Sequence, residues 1–296
     1  MYESSPVSYR WIVIVSAVCL CVSAIRFAYG YYGRNSARVV FCDVGQGDGA
    51  YIRTPTGIDI VIDAGPDNRM LSCLGRTMPL FDKTIEYAFL SHQHADHYGG
   101  FLGIAQNYRI ERFYSSSGET DSKTYAQFKS LLAAKGTYTY LILAPQRIEV
   151  DFVTSFDFIW PSPGLVSSDL NEHSQVFLLN LNNYRYLFTG DVSPFVLSVL
   201  AQNYLSIVQN ADVLKVPHHG SHNGLTYEFL KLADPTLSVI SVGMQNRFNH
   251  PSKSTLDHFK ALGKKVYMTR DRGDITITID AGGLVVAGGD GLRERL

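Results

Sequence analysis

Ser91-His92-Gln93-His94-Ala95-Asp96-His97-Tyr98-Gly99-Gly100 is the stretch from which the rest of the chain is read. It places four potential metal ligands within six residues, as H-x-H-x-D-H. Imidazole and carboxylate in that mixture suit a borderline ion such as zinc, or manganese or iron where oxygen ligands dominate. Residues 84–90 before it read as a buried strand, through Ile85, Tyr87, Phe89 and Leu90. After it, residues 96–107 can form a helix with Asp96 in the N-cap position. A turn between the two lets His92 and His94, two apart, point one way, while Asp96 and His97 open the helix and face a second ion. The plain alternative is a solvated polar loop, but so many ligand types directly behind an apolar strand argue against it.

Outward from this centre the pattern is strand-rich. Strands are expected at 39–44, 50–53 and 58–62, with Thr54-Pro55-Thr56-Gly57 as a hairpin turn. Residues 67–80 read as a loop reaching over the site. A helix over 123–134 closes at Gly136, and strands follow at 138–143, 152–159, 175–181 and 184–189, the last two joined by Asn182-Asn183. The second half repeats the theme, with helices at 194–203, 226–232 and 252–262. Its strands are expected at 213–216, 237–242, 266–269 and 275–279, before a final strand and frayed tail from Gly282. Strands alternating with exposed helices predict an α+β fold, an αββα sandwich of two mixed sheets flanked by helices. With no linker inside 38–290, one catalytic domain over 36–296 follows a separate N-terminal segment, 1–35.

The H-x-H-x-D-H motif resembles the signature of the metallo-β-lactamase fold, and further pieces stand in that family's order. They are Asp63 in Val-Ile-Asp-Ala-Gly, Asp191 in Phe-Thr-Gly-Asp and a His-rich turn at 218–222. Within the family, the chain from about 39 to 279 resembles the C-terminal hydrolase domain of the ComEC DNA-uptake family. The motifs carrying this are Asp43-Val44-Gly45-Gln46-Gly47-Asp48, Asn171-Glu172-His173-Ser174, Lys215-Val216-Pro217-His218-His219-Gly220-Ser221 and Asn249-His250-Pro251.

The resemblance implies two divalent ions, zinc foremost with manganese as the alternative, His92 and His94 holding the first and Asp96 and His97 the second. Asp191, after a strand and the turn-permitting Gly190, reaches between both; by itself it would sooner read as a turn residue capping the helix at 193–194, and the His cluster reverses that preference. One of His218 and His219 completes the ligands of the second ion and the other meets substrate or a supporting carboxylate, because adjacent residues diverge. Where most of the family has a lone His for the first ion, this chain has Asn171-Glu172-His173-Ser174, so either His173 is the ligand or Asn171 serves there. Asp63 is implied to orient a ligand His, and Asp48 to lie over the metals as a catalytic group. Ser221 joins the substrate-side polar set. His250 suits a proton donor or a phosphate contact, with a loop-surface His as the bland reading.

Composition sets the remaining bounds. The 296 residues are 46% hydrophobic and 18% charged, with a formal net charge of −1, a globular profile without the basic excess of a dedicated duplex binder. Four cysteines do not make a small disulfide framework; Cys42 reads as a buried apolar residue, and a bridge to Cys73 is the less favoured alternative. The apolar run 11–25 is short for a span of roughly 20 residues, but aromatics extend it to 32. An uncleaved anchor is favoured over a signal peptide cut after Ala28-Tyr29-Gly30, and over a buried helix. Positive charges after the run place the domain inside the cell; the resemblance places it outside and carries the greater weight.

Function follows as metal-dependent hydrolysis by an activated water. The favoured substrate is DNA, a single strand or another phosphodiester met near a membrane, with a channel on another chain as a partner. The alternatives are a hydrolase of small esters, amides or phosphocholine-type head groups, and a binding protein with a degenerate site.

Overall fold

The computed structural model describes the backbone of residues 9–34 and 37–296, and side chains for 9–24 and 37–296. Residues 1–8 and 35–36, and the side chains of 25–34 with Arg26 and the Ala28-Tyr29-Gly30 motif, lie outside the described residues. Helix α1, Tyr9–Arg34, carries the apolar run. From Tyr9 to Ala24 its side chains are exposed all round, which excludes the expectation of a helix buried in the core. Among the described residues no helix is long and apolar enough to cross a membrane.

Strands β1 (Arg38–Phe41), β2 (Gly49–Arg53), β3 (Asp59–Ala64), β4 (Thr84–Leu90), β5 (Arg109–Ser115) and β6 (Tyr138–Leu141) belong to the first sheet. Strands β7 (Gln146–Asp151), β8 (Thr154–Trp160), β9 (Val176–Leu181), β10 (Tyr184–Phe188), β11 (Val213–Lys215), β12 (Leu237–Ile240) and β13 (Val266–Met268) form the second. The chain then returns to the first sheet with β14 (Ile275–Asp280), β15 (Gly283–Gly288) and β16 (Arg293–Arg295), so its order is β16-β15-β14-β1-β2-β3-β4-β5-β6. The tail expected to fray is therefore strand β16, paired with β15. Strands β3 to β6 are parallel, as are β10 to β13.

Phenylalanines fill the space between the sheets, with Phe41 stacked on Phe188 at 5.7 Å and Phe188 on Phe177 at 5.1 Å. These inward positions alternate with outward ones, as period-two strands require. The outer face of the first sheet packs on α2 (Arg69–Thr77), α3 (Ala95–Tyr98), α4 (Phe101–Asn107) and α5 (Lys123–Ala134). The second sheet packs on α6 (Pro194–Asn203), α7 (Leu205–Val208), α8 (Tyr227–Ala233) and α9 (Lys253–Leu262), and α10 (Thr269–Arg272) follows β13. The layers are those of the expected αββα sandwich.

Two local expectations are corrected. Residues 67–80 contain α2, which turns Met70, Cys73 and Leu74 into the core, the i, i+3, i+4 spacing of an amphipathic turn. Cys73 is also bonded to Cys42, so the pair is a disulfide and Cys42 is not a lone apolar residue. The bridge ties α2 to the start of the 42–48 loop. In the central motif, His94 takes the N-cap position and Asp96 the first turn. The helix there is interrupted at Gly99-Gly100, and Gly100 lies against the β3 end, where a Cβ would sit 2.2 Å from the Ala64 carbonyl.

Replacing Cys42 and Cys73 together by alanine should destabilise the fold by about 2–4 kcal/mol, read as a lower urea midpoint. An unchanged midpoint would mean that the bridge contributes nothing.

Candidate metal centre

Parallel strands from both sheets end at one edge, and the polar residues gather just past those ends. From the first sheet come Asp63 at the end of β3 and His92, His94, Asp96 and His97 after β4. From the second come Asp191 after β10, Lys215 at the end of β11, His219 beyond it, and Ser241 after β12. Crevices outside the carboxyl ends of parallel strands are where such sheets bind ligands.

The tightest group is Asp96, His97, His219 and Asp191. Asp191 Oδ2 lies 3.3 Å from His97 Nε2 and 3.2 Å from His219 Nε2, and Asp96 Oδ2 lies 3.4 Å from that same His219 nitrogen. Both Nε2 atoms are buried without a hydrogen-bond partner. Buried polar atoms are nearly always satisfied, so lone pairs left converging in this way fit a divalent ion. His92, with His97 and Asp191, forms an overlapping second group, and His94 Nδ1 stands 2.9 Å from His92 Nε2. The donor set therefore suits two ions sharing Asp191, the first with fewer protein ligands than the second.

The far sides of these rings are held from beneath. Asp63 Oδ2 accepts from His97 Nδ1 at 2.9 Å, and its Oδ1 accepts the Ser91 N–H at 2.7 Å. Asp63 adopts a left-handed φ of 54° to do this. His219 Nδ1 donates to the Ser241 carbonyl at 3.0 Å, beside Asp48 Oδ1 at 3.2 Å. His92 Nδ1 lies between the hydroxyls of Ser91 and Ser174, and Ser174 Oγ also accepts the Asp191 N–H. Such contacts select the Nδ1–H tautomer and leave Nε2 free for an ion.

The sequence expectations sort against this geometry. His219 joins the cluster and His218 does not. Both carry left-handed backbone, φ 51° and 52°, and this turns His218 toward His250, 5.8 Å between ring centroids. His173 is not at the centre: its ring nitrogens contact Ser117 and the Ser167 carbonyl. Asn171 Oδ1 is buried without a hydrogen-bond partner. Ser221 caps its own turn, accepting the Asn223 N–H. Asp48 stands beside the His219 ring and the Lys215 ammonium, in a further group with Asp191 and His219 that could hold an ion; its loop approaches the cluster at Gly47, whose φ of 145° and closeness to the Asp96 carbonyl tolerate no side chain.

Lys215 was missed. Its ammonium is buried, ion-paired with Asp48, 3.1 Å from the Gly190 carbonyl and 3.5 Å from Asp191 Oδ1. A lysine in the apolar run Val213-Leu214-Lys215-Val216 was the available signal, since lysine is almost never fully buried unpaired.

Burial alone would lower His97 and His219, but Asp191 with Asp63 or Asp48 outweighs it and raises both well above the usual histidine value. Burial, reinforced by His97, holds His92 well below that value, so it is neutral. His250 is pushed down to about 4 by burial and by His219 and His218. Near neutral pH it is an uncharged ring in the metal-free protein, which suits the phosphate-contact reading.

A profile of the Metallo-beta-lactamase superfamily matches residues 42–243. The chain belongs to that superfamily. The fold is correspondingly similar to YhfI of Bacillus subtilis, with a TM-score of 0.58 at 13% identity, over 82% of this chain and 99% of that one. Zinc-bound PqqB of Methylobacterium extorquens gives 0.54 at 12% identity, over 80% and 99%. In sequence, the chain is 23% identical to ComE operon protein 3 of Bacillus subtilis over 90% of its own length and 36% of that protein's, so it spans about a third of this relative. The site is that of a metal-dependent hydrolase of the superfamily.

Because His97 and His219 are raised in the metal-free protein, they must lose protons to coordinate. Zinc binding near neutral pH should release protons and weaken as pH falls, which calorimetry in buffers of different ionisation enthalpy would read; pH-independent binding would contradict the ligand assignment. Asp63→Ala should lower metal affinity roughly 10–100-fold, whereas Asp96→Ala should remove the second ion with little loss of fold stability.

Proposed function

We propose that the protein is a metal-dependent phosphodiesterase that cleaves DNA, presented as a single strand, in a competence-type setting beside a membrane. The observation that carries this is the rim of the metal centre. His218 and His250 stand against the cluster as half-buried rings. Phe248 stacks on His250 at 5.6 Å, and the Arg247 guanidinium lies 4.9 Å from the Phe248 ring. Phe248 is 51% exposed. Hydrogen-bonding imidazoles, a guanidinium and an open aromatic face side by side suit a phosphate with a base attached, since bases stack on aromatic rings without sequence preference. The likeness to ComE operon protein 3 over nearly the whole chain supports the setting.

When bound, the ions supply a water activated near neutral pH and neutralise charge on the attacked phosphate. Asp96, His97, His219 and Asp191 would hold them, with His92 and His94 completing the first. Asp63 and the Ser241 carbonyl fix the tautomers of His97 and His219. Neutral His250 and His218 hydrogen-bond an anionic oxygen or steady the departing group, and solvent provides its proton. Zinc suits the imidazole-rich set, and manganese would be accepted by its carboxylates.

The same proposal places the catalytic domain outside the cytoplasm, anchored through the segment 1–35 and working with a membrane channel on a partner chain. The Cys42–Cys73 bridge supports that compartment, since structural disulfides persist in oxidising surroundings. The near-neutral charge fits a strand that is delivered to the site and not captured by a basic surface.

Full-length protein loaded with zinc or manganese should degrade labelled single strands and a generic phosphodiester, with Asp96→Ala losing nearly all of that turnover. Hydrolysis of small esters or amides with no action on phosphodiesters would replace this reading with the small-ester or amide alternative. His250→Ala should slow good and poor leaving groups alike; a selective loss on the poor one would restore it as the acid. Resistance to carbonate extraction from membranes would bear out the anchor, whereas a mature chain beginning at Tyr31 would contradict it.

A further inference from the structure

Lys215 is a charged residue at the heart of the centre that no ligand role explains. Its position at the end of β11 is buried on every side, with 3% of its surface exposed. Its ammonium has carboxylates from both halves of the chain as neighbours, Asp48 from the loop before β2 and Asp191 from the turn after β10. The Gly190 carbonyl, one residue before Asp191, accepts from it at 3.1 Å. Thr189 Oγ1 donates to the Lys215 carbonyl at 2.8 Å, so the 189–191 turn is fastened to the lysine at its backbone as well.

The consequence falls on Asp191. Its Oδ1 lies on the lysine side, 3.5 Å from Nζ, while Oδ2 faces the Nε2 atoms of His97 and His219. We propose that Lys215 is a positioning residue for the metal centre, turning Asp191 so that it offers the ions its Oδ2 edge and tying the ligands of one sheet to those of the other through Asp48. A free carboxylate at this place could swing to give both oxygens to one ion, leaving the other ion without its bridge. The lysine prevents that swing because Oδ1 would have to leave the ammonium beside it, in an interior where separating opposite charges is costly. Asp48 completes the arrangement: it keeps the ammonium in place and stands beside His219 Nδ1, so one ion pair sets both a carboxylate and an imidazole.

The simpler alternative is that Lys215 only neutralises Asp48. The two accounts separate in a cycle of Lys215→Met, Asp48→Asn and the double variant, made in the full chain, with zinc affinity measured by competition and the visible spectrum recorded with cobalt(II). The inference rests on the metal-centre reading, so the wild-type chain is the control for it: failure of the wild type to bind either ion would sink that reading as well. With wild-type binding established, Lys215→Met should bind zinc roughly 10–100-fold more weakly, the range of a ligand's supporting contact, and shift the cobalt bands. The double variant, which leaves neither member of the pair charged and buried alone, should recover thermal stability without recovering affinity or spectrum. Recovery of all three would reduce the lysine to charge compensation, and wild-type affinity in folded Lys215→Met would overturn the proposal outright. If Lys215→Met does not fold, the double variant decides alone: weakened zinc binding with shifted cobalt bands upholds the proposal, and wild-type values of both overturn it.

Discussion

Asp48, Asp63, Asp96 and Asp191 meet within one edge of the sandwich, and negative charge at that density does not persist in a protein interior without cations. Three of the four are nearly fully buried. In the metal-free chain the compensation comes from Lys215 and from His97 and His219, whose protons the carboxylates retain. Burial alone would raise Asp191, yet His219, His97 and Lys215 outweigh it and keep the carboxylate ionised. A divalent ion can replace the histidine protons, but nothing in the geometry displaces the lysine. The site is thus assembled around a fixed internal cation and a set of exchangeable ones.

The sandwich exists to bring these groups together. Each sheet contributes parallel strands whose ends deliver ligands, and the phenylalanine core between them sets the separation of the two ligand sets. Backbone approaches closely where side chains would intervene, at Gly47 above the Asp96 carbonyl and at Gly100 against the β3 end. The Cys42–Cys73 bridge then anchors the root of the loop that carries Asp48. The fold, the loop and the ion pair therefore converge on the same few ångströms.

Much of this was legible in the sequence. The ligand cluster announced itself through spacing, and period-two runs marked most strands, including the 182–183 turn where both asparagines adopt left-handed backbone. Other features depend on contacts that local pattern does not encode. The 67–80 segment reads as a loop, but two apolar side chains and a cysteine on one helical face suffice to dock it as α2. Adjacent His218 and His219 are chemically identical in sequence, and only the left-handed turn separates ligand from rim. His173 occupies a plausible interval, yet its short helical turn aims both nitrogens at Ser117 and Ser167. Lys215 was hidden because its partner, Asp48, is far away in the chain and on the other sheet.

The central claim is that Asp96, His97, His219 and Asp191 converge as the ligands of a divalent ion. A crystal of the full chain soaked with zinc, measured above and below the zinc absorption edge, tests it most directly. The account predicts an anomalous peak within coordination distance of His97 Nε2, His219 Nε2 and the carboxylates of Asp96 and Asp191, with a second peak toward His92 and His94 of equal or lower height. A map from a zinc-soaked crystal with no peak between those four side chains, and the imidazoles still in place, would contradict it.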